Sequence, residues 1–164
     1  MKYSTLLFTS IFLFVVACTH ADAQSSENET VPVSLEQAMN LASENGKKVL
    51  IDVYAEWCPY CQRMQSQVYK DSTVVQAISD HFIWVQINIE SDELVRFMGH
   101  EMTETQFARA LENESIPTTY FLNSEGSIIG KQPGYIESET FSQLLNFVGS
   151  DAFLSQTFQE FIER

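Results

Sequence analysis

Two cysteines at a strand-to-helix junction constrain this chain more than any other feature. Positions 48–54 are apolar at nearly every place from Val49 to Tyr54, the pattern of a central strand covered on both faces. Trp57-Cys58-Pro59-Tyr60-Cys61 follows, and then a helical pattern that carries Met64 and Val68 inward and runs to about Tyr69. Proline suits the first position of a helix, where its missing N–H costs nothing. Pro59 therefore places Cys58 at the helix start. Residues i and i+3 share a helix face, so the two sulfurs can close a disulfide. The first sulfur also lies beside the positive end of the helix dipole, which favours the thiolate. A free thiol with a pKa of roughly 8.5 is only about 3% ionised at pH 7, so this placement decides reactivity.

The rest of the composition narrows the field. The chain has 164 residues and a net charge of −13. It has no basic stripe to neutralise phosphates, which argues against nucleic-acid binding. Of its three cysteines, Cys18 lies in the leading segment, so Cys58 and Cys61 have no competing partner in the body of the chain. Residues 1–23 read as an export leader: Lys2 supplies the positive start, and Leu6 to Ala17 is an apolar core too short to span a membrane. Two processing sites compete. Val15-Val16-Ala17-Cys18 looks like a lipobox, with Cys18 the lipid-bearing first residue, and Ala21-Asp22-Ala23 fits an ordinary signal peptidase. Residues 24–33 are polar and small, a flexible tether. A single folded domain over 34–164 suits the remaining ~140 residues.

Within that domain Ser34 and Gln37 form a capping box, and Asn45-Gly46 closes the helix they open. A short helix carries Val74, Val75 and Ile78, and Phe82 to Ile89 is a second buried strand. Thr103 and Gln106 look like another box, opening a helix with Phe107, Ala110 and Leu111 on one face. Phe97, Met98 and Met102 are assigned to the core, and Arg63 and His100 to solvent. Thr119–Leu122 and Ser127–Lys131 read as a hairpin, and Pro133-Gly134 as a turn near the rim of the site. Ser138 caps a helix that Gly149 ends. From Asp151 a further amphipathic helix aligns Phe153, Leu154, Thr157, Phe158, Phe161 and Ile162.

Val53-Tyr54-Ala55-Glu56-Trp57-Cys58-x-x-Cys61 resembles the active-site segment of thioredoxins, and the resemblance covers roughly positions 34 to 148. Val68-Tyr69-Lys70-Asp71 leading into Val74-Val75 is similar to an exported bacterial branch, near SoxW-type proteins and the C-terminal domain of DsbD. The Pro59-Tyr60 pair is similar to glutaredoxin instead. The resemblance implies an α/β thioredoxin fold, a central mixed sheet flanked by helices; beyond that minimal fold, Ser91 to Ser115 adds a helical insertion before the cis-proline strand, and the stretch from Asp151 adds an extra C-terminal helix. It implies that Ile116-Pro117-Thr118 carries that cis-proline, with Ile116 and Pro117 meeting a substrate strand. It also implies that Asp52, a costly charge in a buried strand, lies behind the cysteines and moves protons for Cys61. Gln86 stands where thioredoxins usually carry a lysine facing that aspartate.

The expected function is an exported thiol–disulfide oxidoreductase, running as a disulfide reductase. Cys58 attacks, Cys61 resolves, and Trp57, Pro59 and Tyr60 shape the surface around them. Its partners are protein disulfides or dithiols and a membrane electron donor, and its place is the bacterial periplasm; if the lipobox is the site that is cut, the lipid on Cys18 directs it to the outer membrane. No cofactor or metal is required, because the electrons reside in the cysteine pair. The alternatives are a disulfide oxidase or isomerase, and a metal-binding chaperone of the same fold.

Overall fold

The computed structural model describes residues 30–163. The expected leader, Cys18 and the expected tether up to residue 29 lie outside the described residues. Among the described residues, no helix is long and apolar enough to cross a membrane.

Helix α1 (Leu35–Asn45) begins at Ser34, whose Oγ accepts the Gln37 N–H, one half of the expected box. It ends at Gly46, whose left-handed φ of 65° favours glycine. Strand β1 (Lys48–Tyr54) follows, then α2 (Pro59–Arg63), α3 (Ser72–His81) and β2 (Phe82–Asn88). Strands β3 (Leu94–Phe97) and β4 (His100–Thr103) form a separate hairpin ahead of α4 (Glu104–Ala110). The chain then returns to the main sheet as β5 (Thr118–Leu122) and β6 (Ile128–Pro133), and ends in α5 (Ser138–Gly149) and α6 (Phe158–Ile162). The main sheet has the order β2-β1-β5-β6. The β1–β2 pair is parallel, and the β1–β5 and β5–β6 pairs are antiparallel. This is the mixed sheet flanked by helices that the motif implied.

Strand alternation sorts β1 between two cores. Val49, Ile51 and Val53 pack with Leu35, Ala38, Val85, Ile87, Phe107 and Leu122. Leu50 packs on the other face with Met64, Val68, Val74, Ile78, Phe121, Phe141 and Leu145. The N-terminal segment also meets the sheet: Val33 N–H donates to Trp84 O at 2.9 Å on the outer edge of β2. Farther along that edge, Asn88 N–H donates to Glu104 Oε2 at 3.0 Å.

Five expectations need correction. The helix after Cys61 is not α-helical throughout: Met64–Val68 is a π turn, in which Tyr69 N–H reaches Met64 O. The region before β5 holds the β3–β4 hairpin as well as a helix. Met98 and Gly99 form its turn, with φ of 50° and 81°. Val95, Phe97 and Met102 face the core, while Met98 is exposed. On α4 the buried alanine is Ala108 rather than Ala110. The C-terminal stretch is broken into a 3₁₀ turn, Ala152–Leu154, and α6. Thr157 and Glu160 form a complete capping box there and start a new helix. Phe153, Phe158 and Phe161 gather around Phe147, and Leu154 is left in solvent.

Candidate active site

The junction between β1 and α2 places the cysteines as their spacing implies. Cys58 and Cys61 are joined by a disulfide, with their Cα atoms 5.2 Å apart. Cys58 is the N-cap of α2, and Pro59 is its first residue. The Cys61 N–H points at Cys58 Sγ, 3.2 Å away. Once the pair is reduced, that N–H and the helix end favour a thiolate at Cys58. The turn entering the helix is tied by Cys58 N–H to Ala55 O and by Gln62 N–H to Cys58 O. Cys58 is 4% exposed and Cys61 1%. Tyr54, Ile89 and Ile116 pack against them and Ala55.

Two exposed aromatic residues flank the pair. Trp57 and Tyr60 are each 60% exposed, large apolar rings left in solvent. Trp57 walls a groove of about 320 Å³ shared with Ile89, Ala108, Arg109, Glu114 and Ile116, so α4 contributes one side. A larger hollow, about 640 Å³, lies between α1 and the β3–β4 hairpin and shares no lining residue with this groove. Tyr60 meets Tyr135, their ring centroids 6.1 Å apart. Arg63 stacks 4.3 Å over the Tyr135 ring and pairs with Glu137 at 3.2 Å. Arg63 is therefore partnered, not simply solvated. Tyr135 carries no motif that would have marked it, although the Pro133-Gly134 turn just before it was expected at the rim. Gly134 N–H donates to Pro117 O at 2.8 Å.

Ile116-Pro117 is a cis peptide, as the resemblance implied. Thr118 Oγ1 donates to Ser115 O at 2.7 Å, and Asn113 Nδ2 to the same oxygen at 2.8 Å. These bonds hold the loop, while the Ile116 N–H and C=O have no partner among the described residues. Asp52 lies on the face of β1 covered by the helix that bears Cys61, two residues before Tyr54. It sits opposite Gln86 of β2 and Thr119 of β5. Gln86 Nε2 donates to its Oδ2 at 3.3 Å. Burial pushes the Asp52 carboxyl up to about 6, against smaller lowering contributions from Gln86 and Tyr69. The Tyr69 hydroxyl leans toward Asp52 and Thr119 but closes a bond of good geometry to neither, so it and Asp52 Oδ1 are both buried without a partner. Tyr69 was read as the end of a helix and as part of the Val68–Asp71 segment, with no role at the site. Among the described residues, no three His, Cys, Asp or Glu side chains converge to hold a metal.

The sheet order, with a disulfide capping the helix after its central strand, defines a thioredoxin-fold thiol–disulfide oxidoreductase. The chain belongs to the thioredoxin-like domain family, which it matches over residues 35–149. It is 27% identical over 109 residues to the thiol:disulfide interchange protein DsbD of Pseudoalteromonas atlantica, a stretch that is 65% of this chain and 17% of that protein. Solved structures that share the fold include the following two. A thioredoxin-fold protein from Helicobacter pylori has a TM-score of 0.67 at 20% identity, over 84% of this chain and 89% of that one. The oxidised C-terminal domain of Neisseria meningitidis DsbD has a TM-score of 0.53 at 20% identity, over 70% and 96%.

Proposed function

We propose that the chain is an exported disulfide reductase in which Cys58 is the nucleophile and Cys61 the resolving thiol. The observation that carries this is the Cys58 sulfur at a helix start, with the Cys61 N–H aimed at it and the unpaired Ile116 backbone alongside. The Cys58 thiolate attacks a substrate disulfide. That S–S bond breaks, one substrate sulfur leaves as a thiolate and takes up a proton, and a mixed disulfide remains. Cys61 then passes its proton to the Asp52 carboxylate and attacks Cys58. The second substrate thiolate leaves, and the Cys58–Cys61 disulfide is restored with two electrons given away. A donor dithiol at the membrane reduces it again. Ile116 pairs its free backbone with the incoming strand, beside Pro117, and Trp57, Pro59 and Tyr60 shape the contact surface.

The leader at 1–23 supports export to the periplasm, and Cys18 supports a lipid anchor at the outer membrane. The mass of the mature N-terminus tests the anchor: an unmodified start at Gln24 refutes it. For the chemistry, dithiothreitol-driven reduction of insulin is the assay. Cys58→Ser abolishes turnover, and Cys61→Ser accumulates mixed disulfides. Absence of adducts with the second variant refutes the resolving role.

A further inference from the structure

Three buried polar atoms on the Leu50 face of the sheet have no partner: Asp52 Oδ1, Tyr69 Oη and Trp84 Nε1. Such groups are nearly always satisfied, and each one left alone calls for an explanation. The π turn supplies it for Tyr69. By taking its bond from five residues back, Tyr69 is rotated by about 100° from where an uninterrupted α-helix would put it. Its ring stacks on Trp84 with centroids 4.6 Å apart and meets Phe141 edge-on at 5.7 Å. Those contacts fix the ring with its hydroxyl toward Asp52. On its outer side, Tyr69 lines a surface hollow of about 490 Å³ with Trp84, Gln65 and Lys70.

We propose that Tyr69 is a positioning residue whose hydroxyl hydrogen-bonds the Asp52 carboxylate and keeps it ionised, ready to take the proton of Cys61. The proposal rests on the assignment of Asp52 as that acceptor. Tyr69 keeps its own proton and transfers no electrons. In the resolving step the Cys61 S–H bond breaks, its proton goes to Asp52, its electron pair forms the bond to Cys58, and the substrate sulfur departs with the other pair. The polar groups facing Asp52 are Gln86 from β2, Thr119 from β5 and Tyr69 from the π turn. Tyr54 on its own strand feels its charge. Among the described residues, no lysine, arginine or histidine forms an ion pair with it. A hydrogen-bond donor is then the available means of holding the charged form.

The test is the carboxyl titration of Asp52, followed by NMR in the oxidised full-length protein, with the pH profile of substrate release from the mixed disulfide beside it. Tyr69→Phe moves the Asp52 midpoint upward by about one pH unit. It slows release several-fold at pH 7 and regains the rate at higher pH. Site-specific 3-fluorotyrosine at position 69, with the same ring and a stronger donor, moves the midpoint downward even if Tyr69→Phe folds poorly. An unmoved midpoint in a folded Tyr69 variant overturns the proposal. If Asp52→Asn leaves the wild-type release profile unchanged, the Asp52 assignment falls. If Asp52→Asn abolishes the pH-dependent limb while Tyr69→Phe does not shift it, only the role of Tyr69 falls.

Discussion

Leu50 and Ile51 are neighbours on β1 and both fully buried, yet they look onto different interiors. Ile51 faces Leu35, Ala38, Val85 and Phe107, and the one phenol there, Tyr120, is satisfied by Leu111 O and Asn113 Oδ1. Leu50 shares its face with Asp52, Tyr69 and Trp84, each with a polar atom lacking a partner. One interior is close to an ideal apolar core. The other gives up stability to bury a titratable group. Within one sheet, satisfied apolar packing and unpartnered polar groups lie on opposite sides.

Substitutions on the two sides should therefore behave differently. Phe107→Ala, on the Ile51 side, empties a fully buried ring site and costs about 3–5 kcal/mol in denaturant unfolding. It should leave the Asp52 titration where it is, and a shift in that midpoint would break the contrast. Asp52→Asn, on the Leu50 side, should instead stabilise the protein at neutral pH. The folded carboxyl titrates near 6, against an ordinary 3.8. Below pH 3.8 both folded and unfolded chains hold the proton, and nothing is lost. As pH rises from there toward 6 the unfolded chain releases its proton first, and stability falls. Above 6 the loss is complete, of order 3 kcal/mol. The gain from asparagine should thus be present at pH 8 and vanish near pH 3.5, and a gain independent of pH would contradict the buried-charge account. The smallest effect belongs to neither interior: Arg63→Ala removes an exposed stack and ion pair and costs less than about 1 kcal/mol. A larger loss would mean the Tyr60–Tyr135 rim is part of the core.

The strands, the cysteine junction and the costly buried charge of Asp52 were legible because each is written in local residue chemistry, whereas the cis peptide at Ile116-Pro117 came only from the resemblance to thioredoxins. The three-residue spacing of Thr103 and Gln106 likewise marked the start of α4, which forms as a full capping box. The β3–β4 hairpin was hidden because Met98 occupies a left-handed turn position usually marked by asparagine or aspartate. The π turn has no local signature; it is set by how Tyr69 packs against Trp84. Gly149 was read as a helix stop and is the last residue of α5; in addition, a Cβ there would collide with the His81 ring, so its smallness lets α5 lie close to α3. Thr157 and Glu160 did carry a start signal, which the long run of aromatic residues around them obscured.

The bonds from Val33 to Trp84 and from Asn88 to Glu104 have one more consequence. Strand β2 borders the main sheet, and its outward backbone groups belong to alternate residues, Phe82, Trp84, Gln86 and Asn88. With Trp84 O and Asn88 N–H taken from within the chain, only Gln86 is left open between those two points, too short a ladder for a foreign strand to zip onto there. The protein thereby guards this flank against edge-to-edge aggregation, apart from the Ile116 backbone at which we propose a substrate strand pairs.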